Sequence, residues 1–339
     1  MSIFVKLNGG FGDQLKIYLA ASFIAQKTAK KIVLISNEVI GDNDIKRQDT
    51  RSSLLKITNI EPLQMINNIT FDDYDYCSVA GDEYNKRTLY SNYNSTSTYI
   101  LTRQSHPYIP VWDWPWFLIN TQTNEIKNCF SIKNNKEFQL ACNDTSENIV
   151  HQFCSIDDLN WYVQNLNLLK EFVKFDKLSY PSLDNDFPSV SKEDIVISVR
   201  LGGSITEQNS FCFSDKEGSL RIPFEYYKKA IDFFGNYKRL LICCDNYESD
   251  YLNQFNLYPN IIFLKDFNTL EQFKVILDCK RFVSSNSSFS IMGSIFSDSI
   301  TTFPEVHNHT VRGDHIYGKL DGNNPQIYPK KSTDVIIHI

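Results

Sequence analysis

Short apolar runs alternate with amphipathic helical segments after residue 194, and this alternation constrains the fold more than any other feature of the sequence. Strands are predicted at 195–199, 240–244, 261–264 and 281–284, and helices at 224–234, 269–279 and 289–296. Pro223 directly precedes the first of these helices, where its fixed backbone favours helix initiation. Because strands that alternate with helices form a parallel sheet covered on both faces, this half predicts a doubly wound α/β domain.

The beginning of the chain repeats the same pattern. A predicted strand, a glycine turn, a helix and a second strand follow one another at 3–7, 9–12, 14–29 and 32–35. This order is a βαβ unit and predicts a parallel sheet. Residues 40–150 contain only short alternating apolar pieces, a helical segment covers about 157–175, and a linker is predicted at 181–194.

The length of 339 residues fits two domains. We therefore expect two doubly wound, Rossmann-like α/β domains that face a cleft. The first covers 1–180, the second covers 190–310, and 311–339 form a C-terminal extension.

Composition and charge exclude several classes of function. Hydrophobic residues make up 42% of the chain, which is enough for buried cores, and the net charge of −6 with no concentrated basic run argues against nucleic-acid binding. No segment reaches the roughly 18–20 apolar residues of a transmembrane helix. The first apolar run enters a glycine turn without a basic region and is interpreted as a strand, not a signal peptide. We expect a cytoplasmic protein whose eight cysteines are reduced and mostly buried.

Three polar segments follow predicted strands, where open α/β sheets place their ligands. The first, at 8–14, contains Gly10, Gly12 and Gln14. Glycines between a strand and a helix allow close approach of a ligand to the backbone, and the helix N-terminus favours an anion or a polar sugar group. The alternative is an ordinary tight turn.

The second segment places Arg200 at the end of a buried strand, followed by Leu201, Gly202 and Gly203. An arginine in this position costs free energy unless it has an anionic partner. The guanidinium group either binds the phosphate of a ligand or forms a structural pair with a carboxylate of the protein.

The third segment, which we call the serine segment, is 284–290, Ser-Ser-Asn-Ser-Ser-Phe-Ser. Hydroxyl and amide groups at the start of a helix can hold a phosphate. The alternative is ordinary N-capping of the helix, which any serine-rich turn can provide.

Taken together and in this order, the three segments resemble the bacterial α-1,2-fucosyltransferase family. Its Gly-Gly-Leu-Gly-Asn-Gln turn is matched at 9–14 and its His-Val-Arg-Arg-Gly-Asp motif at 198–203. Its Tyr-Tyr-Lys-Lys-Ala-Ile helix is matched at 226–231, and its Ser-Asn-Ser-Ser-Phe-Ser-Trp-Trp-Gly segment at 285–293. The resemblance covers the first 35 residues and about 195–305.

The resemblance implies the GT-B architecture and an inverting, metal-independent transfer of L-fucose from GDP-fucose to a galactose-containing glycan, with an α-1,2 linkage and no cofactor. The 1–180 domain would then be the acceptor side and the 190–310 domain would bind the GDP-sugar. Arg200 would hold the β-phosphate and act as the catalytic residue, while Gly10, Gly12 and Gln14 would line the cleft floor. The implied donor-binding residues are Arg200, Asp245, Gln272, Asn286, Ser287, Ser288 and Phe289. Asp245 either reaches the nucleotide or caps the turn that follows its strand.

The chain departs from the family pattern at four positions that bear on the chemistry. The family's His, second Arg and Asp of the second motif are Ser198, Leu201 and Gly203, and a family Asp that is a guanine partner corresponds to Gln272, beside Glu271. The general base for the acceptor hydroxyl must therefore come from elsewhere. The candidates by position are Asp13, Glu207, Asp215 and Glu217.

Three tryptophans, Trp112, Trp114 and Trp116, lie in one aromatic stretch of the first half. They either stack against the sugar of the acceptor or plug a core beneath a long loop. The Asp-x-Asp triplets at 42–44, 73–75 and 184–186 and the pair His307 and His309 are interpreted as turn or surface residues, not as metal ligands.

The sequence therefore predicts an enzyme whose partners are a GDP-sugar donor and a glycan or glycolipid acceptor, with no nucleic acid. Peripheral association with a membrane is compatible with this reading. Two alternatives stay open: a transferase of another GDP-sugar, and a non-catalytic relative that binds a nucleotide-sugar or glycan. The transferase reading requires Arg200 to lie near Ser287 and Ser288, and not in a salt bridge remote from them.

Overall fold

The computed structural model describes residues 2–6, 10–35, 57, 65–66, 88–91, 99–103, 116–120, 123, 126–132, 135–143, 148–151, 159–180, 189–201, 222–285, 287–304, 331 and 334–337. The chain divides into two units. The first consists of Met1–Gly9, Asp13–Arg51 and Thr58–Asp157. The second consists of Gly10–Gly12, Ser52–Ile57 and Asp158–Ile339, so 159–180, which the sequence analysis assigned to the first half, group with the second.

The first unit contains a mixed sheet of eight strands in the order β3-β2-β1-β8-β7-β6-β5-β4. Strands β3, β2, β1, β8 and β7 run parallel to their neighbours in this series, and β7, β6, β5 and β4 are paired antiparallel. The elements are β1 Ser2–Lys6, α1 Phe11–Thr28, β2 Lys31–Ile35, β3 Met65–Ile66, β4 Thr88–Ser91, β5 Tyr99–Arg103, β6 Trp116–Asn120, β7 Ile126–Ile132, α2 Asn135–Asn143 and β8 Asn148–His151.

The βαβ unit predicted at the start of the chain is confirmed. Strands β1 and β2 are parallel, with Ile3 opposite Ile32, and α1 lies between them in the sequence. Leu15 and Leu19 recur at helical spacing in α1, and both are fully buried. The antiparallel β4–β7 part was not predicted, because pieces of four to seven residues without an intervening helical pattern carry little periodic signal.

The second unit contains a sheet of six strands in the order β11-β10-β9-β12-β13-β14, and every pair is parallel. The α/β class and the parallel sheet predicted for this half are confirmed. The elements are α3 Leu159–Gln164, α4 Leu166–Glu171, β9 Ile195–Val199, α5 Phe224–Phe234, β10 Leu240–Cys244, β11 Ile261–Phe263, α6 Thr269–Asp278, β12 Arg281–Val283, α7 Ser288–Phe296, β13 Ile300–Pro304 and β14 Val335–Ile337, with 3-10 helices at Phe175–Lys177 and Asp250–Leu257.

The centre of this second sheet is buried on both faces. All residues of β9 and β10 are buried, which is the pattern of inner strands in a parallel sheet. Tyr226 of α5 is fully buried, and its hydroxyl lies 2.8 Å from the carbonyl oxygens of Ser284 and Thr302. This tyrosine therefore ties α5 to the end of β12 and to the middle of β13.

The C-terminal extension contributes to the second sheet, since β14 pairs with β13. The Lys331 ammonium group donates to the carbonyl oxygens of Ser294 and Ser297 at the C-terminal end of α7. A cation is favourable there because helix carbonyls carry partial negative charge. None of the helices that the structure describes is both long enough and apolar enough to cross a membrane.

Candidate functional site

The carboxyl ends of three adjacent strands bring the predicted donor-binding residues of the second unit to one sheet edge. Strand β9 lies between β10 and β12, with Val199 opposite Cys244 and Val283 opposite Ile197. Arg200 directly follows β9, Asp245 directly follows β10, and the serine segment follows β12. Parallel pairing therefore places all three at the same edge, which is where open α/β sheets bind ligands.

Arg200 forms a salt bridge with Asp245 through its Nη1. The other carboxylate oxygen of Asp245 accepts the backbone N–H of Leu201 at 2.7 Å. The structural alternative for Arg200, a pair with a carboxylate, is thus present in the structure. Because β9 and β10 are neighbours and both residues directly follow their strands, strand order was the signal that could have predicted this pair.

The salt bridge leaves the guanidinium group accessible. The Arg200 side chain is 37% exposed and that of Asp245 is 29% exposed. A guanidinium carries five N–H donors, and the hydrogen bond found for it among the described residues uses Nη1 alone. Asp245 therefore orients Arg200 and leaves donors available for an anion.

Ser287 caps the helix that follows the serine segment. Its Oγ accepts the backbone N–H of Ser290 at 3.2 Å and lies 3.0 Å from the Oγ of Ser285. Helix α7 then begins at Ser288. Ordinary N-capping, the alternative for this segment, is therefore also present, and it places the start of α7 at the sheet edge that carries Arg200.

A buried hydroxyl contact connects the two parts of this edge. Ser198, two residues before Arg200, lies with its Oγ 2.5 Å from that of Ser290 and 3.4 Å from that of Ser285. The Oγ atoms of Ser285 and Ser290 are 2.8 Å apart. The strand that ends before Arg200 is thus in contact with the serine segment through Ser198. The approach of Arg200 itself to Ser287 and Ser288 stays a prediction.

Gly12 packs against the start of α7, and both belong to the second unit. A Cβ atom at Gly12 would lie 2.3 Å from the backbone nitrogen of Phe289 and 2.6 Å from the carbonyl oxygen of Ser288. A side chain at Gly10 would meet nothing within 4 Å. Glycine is thus required at position 12, where two backbones approach each other closely. The space around position 10 would accept a side chain.

The Phe289 ring belongs to the core of the second unit. It packs against Phe273 with ring centroids 5.4 Å apart and against Phe11 at 6.2 Å. These edge-to-face contacts anchor the first turn of α7. The Phe289 ring is partly buried, and its predicted part in framing a diphosphate stays a prediction.

Glu271 and Gln272 are engaged at the start of α6. The Glu271 carboxylate accepts the backbone N–H of Asn268 at 2.7 Å, which completes a capping box with the Asn268 side chain. The Gln272 amide donates to the carbonyl oxygen of Phe267 at 2.9 Å. The amide nitrogen of Gln272 is thus committed to the backbone, and its reading of guanine stays a prediction.

Some of the remaining predicted residues lie outside the part of the chain that the structure describes. Gln14 is buried, with 1% of its surface exposed, and its place in a cleft floor stays a prediction. Trp116 begins β6. The residues that lie outside the described part are Trp112, Trp114, Asn286, Gly202, Gly203, Glu207, Asp215, Glu217, His307, His309 and the three Asp-x-Asp triplets. Among the residues that are described, no group of three or more His, Cys, Asp or Glu side chains could hold a metal ion.

The sequence matches no known protein family, and no curated protein matches it. Solved glycosyltransferase structures align with it at low identity. The fucosyltransferase NodZ from Bradyrhizobium aligns with 12% identity and a TM-score of 0.41, over 88% of this chain and 94% of its own. NodZ α-1,6-fucosyltransferase co-crystallized with GDP gives 14% and 0.42, over 88% and 93%. E. coli heptosyltransferase WaaC with ADP gives 9% and 0.38, over 100% and 93%. Because these values are low, the functional inference rests on the site itself.

Proposed function

We propose that this chain is a glycosyltransferase that uses a GDP-sugar donor, and that the sugar is L-fucose. The acceptor in this proposal is a galactose-containing glycan or a lipid-linked saccharide on the cytoplasmic side, joined by an α-1,2 linkage. The observation that carries the proposal is the shared edge of the second sheet: an accessible, pre-oriented Arg200 and the serine-capped start of α7 are linked through Ser198. The resemblance of 9–14, 198–203 and 285–293 to the fucosyltransferase motifs supplies the donor sugar.

The arrangement suits a diphosphate leaving group. In an inverting transfer, the acceptor oxygen forms a bond to the anomeric carbon while the bond from that carbon to the β-phosphate oxygen breaks. Negative charge then develops on the departing GDP. In the proposed metal-independent reaction, the Arg200 guanidinium and the groups at the start of α7 would stabilise that charge.

The acceptor hydroxyl loses its proton during this step, and a general base must receive it. Ser198 stands where the resembling family has a histidine, and its buried hydroxyl contacts two other hydroxyls. A serine in such surroundings is not a base at neutral pH. Asp13, in the first turn of α1, is the positional candidate among the described residues.

The first test measures GDP affinity by calorimetry for the wild type and for Arg200→Ala. Since a charge-assisted hydrogen bond contributes about 1.5–3 kcal/mol, we expect a loss of affinity of about 10- to 100-fold. The matched control is Arg281→Ala, because Arg281 lies at the opposite end of neighbouring strand β12 and donates to the carbonyl oxygen of Asn236. Wild-type affinity in Arg200→Ala would remove Arg200 from the proposed site.

Asp245 requires a second variant, because Arg200→Ala leaves its carboxylate without the guanidinium and next to the incoming phosphate. The double variant Arg200→Ala with Asp245→Asn removes that charge. A loss of affinity that persists in the double variant is due to the missing guanidinium. Full recovery in the double variant would instead mean that repulsion from Asp245 caused the loss.

Turnover separates the transferase from a non-catalytic binding relative. We expect purified protein to hydrolyse GDP-fucose slowly, or to transfer fucose to a galactoside, with the same rate in EDTA. Loss of turnover in EDTA would contradict the metal-independent mechanism. GDP binding without turnover of any GDP-sugar would favour the binding relative, and turnover of a different GDP-sugar would correct the donor.

A further inference from the structure

Four serine hydroxyls form a buried network beneath the start of α7. They belong to Ser198 of β9, Ser285 after β12, the N-cap Ser287 and Ser290 in the first turn of the helix. The three Oγ atoms of Ser198, Ser285 and Ser290 lie within 3.4 Å of one another, and Ser287 joins through Ser285 at 3.0 Å. Ser285 and Ser290 are fully buried and Ser198 is 5% exposed.

This network shapes the turn from β12 into α7. The Ser290 Oγ accepts the backbone N–H of Ser285 at 3.4 Å, and the Ser287 Oγ accepts the backbone N–H of Ser290 at 3.2 Å. Each hydroxyl can donate once and accept twice, so the three buried hydroxyls and that of the half-buried Ser287 can satisfy one another. The orientation of the α7 start therefore depends on these hydroxyls as a group.

Ser198 is the member of the network that lies on β9, whereas the other three serines follow β12. It is separated from Arg200 by one residue, and its backbone carbonyl oxygen lies 3.4 Å from the Tyr227 hydroxyl. Loss of its hydroxyl would leave the buried hydroxyls of Ser285 and Ser290 short of a partner. It would also release the connection between the strand end that carries Arg200 and the serine segment.

We infer that Ser198 is a positioning residue for diphosphate binding, which holds the end of β9 and the start of α7 in register so that one anion can contact both. This inference rests on the proposed function. It assigns Ser198 a task different from that of a general base, since the hydroxyl touches two other hydroxyls within the protein.

The test compares Ser198→Ala with Ser294→Ala. Ser294 is also a buried serine, in the same helix α7, but its hydroxyl donates to the carbonyl oxygen of Ile291 within the helix and lies outside the network. Both variants lose one buried hydroxyl, so both are expected to lower the melting temperature. We expect Ser198→Ala alone to weaken GDP binding, by about five- to tenfold, and Ser294→Ala to leave it unchanged.

A double-mutant cycle adds a readout that a general loss of stability would not change. If Ser198 and Ser290 act through one contact, changing both to alanine should weaken GDP binding about as much as the more damaging of the two single changes. Additive losses would contradict the shared contact. A loss of turnover in Ser198→Ala with unchanged GDP affinity would overturn the positioning role in favour of a catalytic one.

The outcomes also separate this inference from the proposed function. If the wild type binds GDP and Ser198→Ala matches Ser294→Ala, the positioning role is wrong while the proposed function stands. If the wild type binds no GDP, the proposed function is wrong and the positioning role is refuted together with it.

Discussion

Replacing Gly12 with alanine tests the close approach of the two helix starts. Gly12 is the second residue of α1, and an added Cβ would lie 2.3 Å from the Phe289 nitrogen and 2.3 Å from the Ser288 carbonyl carbon. Both atoms belong to the backbone of the first turn of α7, which is held in place by backbone N–H groups that donate to the Oγ atoms of Ser287 and Ser290. A flexible side chain could rotate away from the new methyl group, whereas this peptide cannot. The start of α1 or the start of α7 must therefore move.

The magnitude follows from the size of the overlap. Ordinary contacts of a Cβ lie at 3.4–4 Å, so the methyl group enters the contact distance by more than an ångström. Overpacking of this kind costs about 1–3 kcal/mol. Alanine recovers about 1 kcal/mol through its better helix propensity. We expect a net destabilisation of up to about 2 kcal/mol, which lowers the melting temperature by a few degrees.

Thermal unfolding and GDP calorimetry on Gly12→Ala and Gly10→Ala provide the measurement. Gly10 lies in the same turn, is exposed, and offers open space to a Cβ. We expect Gly10→Ala to keep the wild-type stability, and Gly12→Ala to lose stability together with GDP affinity. Equal behaviour of the two variants would refute the close packing of Gly12 on Ser288 and Phe289. A loss of stability in Gly12→Ala with unchanged GDP affinity would support the close packing of Gly12 and would show that this packing does not contribute to GDP binding.

Two further predictions concern stability. The buried Asp194 is paired with Arg239, whose Nε donates to the Asp194 Oδ1 at 3.0 Å. Burial raises the pKa of Asp194. The hydrogen bonds from Arg239 and Ser191 outweigh burial and hold this pKa below its usual value. The pair therefore stabilises the fold above the unfolded-state pKa and loses that effect as the pH falls through the lower folded-state pKa. In urea unfolding at pH 7, the free energy of unfolding of Asp194→Asn should be about 3 kcal/mol lower than that of the wild type, and this difference should shrink below about pH 4. A difference in unfolding free energy that does not change with pH would contradict this account. Ala29, which follows α1, has φ of +53°, a left-handed conformation that favours glycine. Ala29→Gly should therefore stabilise the protein by about 0.5–1 kcal/mol, whereas Ala25→Gly inside the helix should destabilise it by a similar amount. Equal effects of the two glycines in thermal unfolding would contradict the strain at Ala29.

The second unit was largely predictable because its periodic signals agree with one another. The strand predicted at 195–199 and the helix predicted at 224–234 have the observed bounds, and the next strand, 240–244, does as well. Continuous apolar runs of this length are typical of inner parallel strands. The order of strands in the sheet then places Arg200, Asp245 and the serine segment at one edge. Sequence order and the βαβ rule were sufficient for this part of the site.

Other features were not predictable because no local pattern encodes them. Strand β14 has three residues and depends on pairing with β13. The hydroxyl network joins Ser198 to residues about 90 positions away, and serine is common in turns that have no such role. Contacts of this kind follow from tertiary packing and not from periodicity.

The start of α7 carries a partial positive charge that its own sequence does not balance. The first turn of α7 contains no acidic residue, whereas the first turn of α1 contains Asp13. The carboxylate of Asp245 at the same sheet edge is already committed to Arg200 and Leu201. An anion that bridges Arg200 and the start of α7 would supply the negative charge that α7 lacks, so a diphosphate should stabilise the second unit against thermal unfolding in proportion to its charge, with GDP more effective than guanosine.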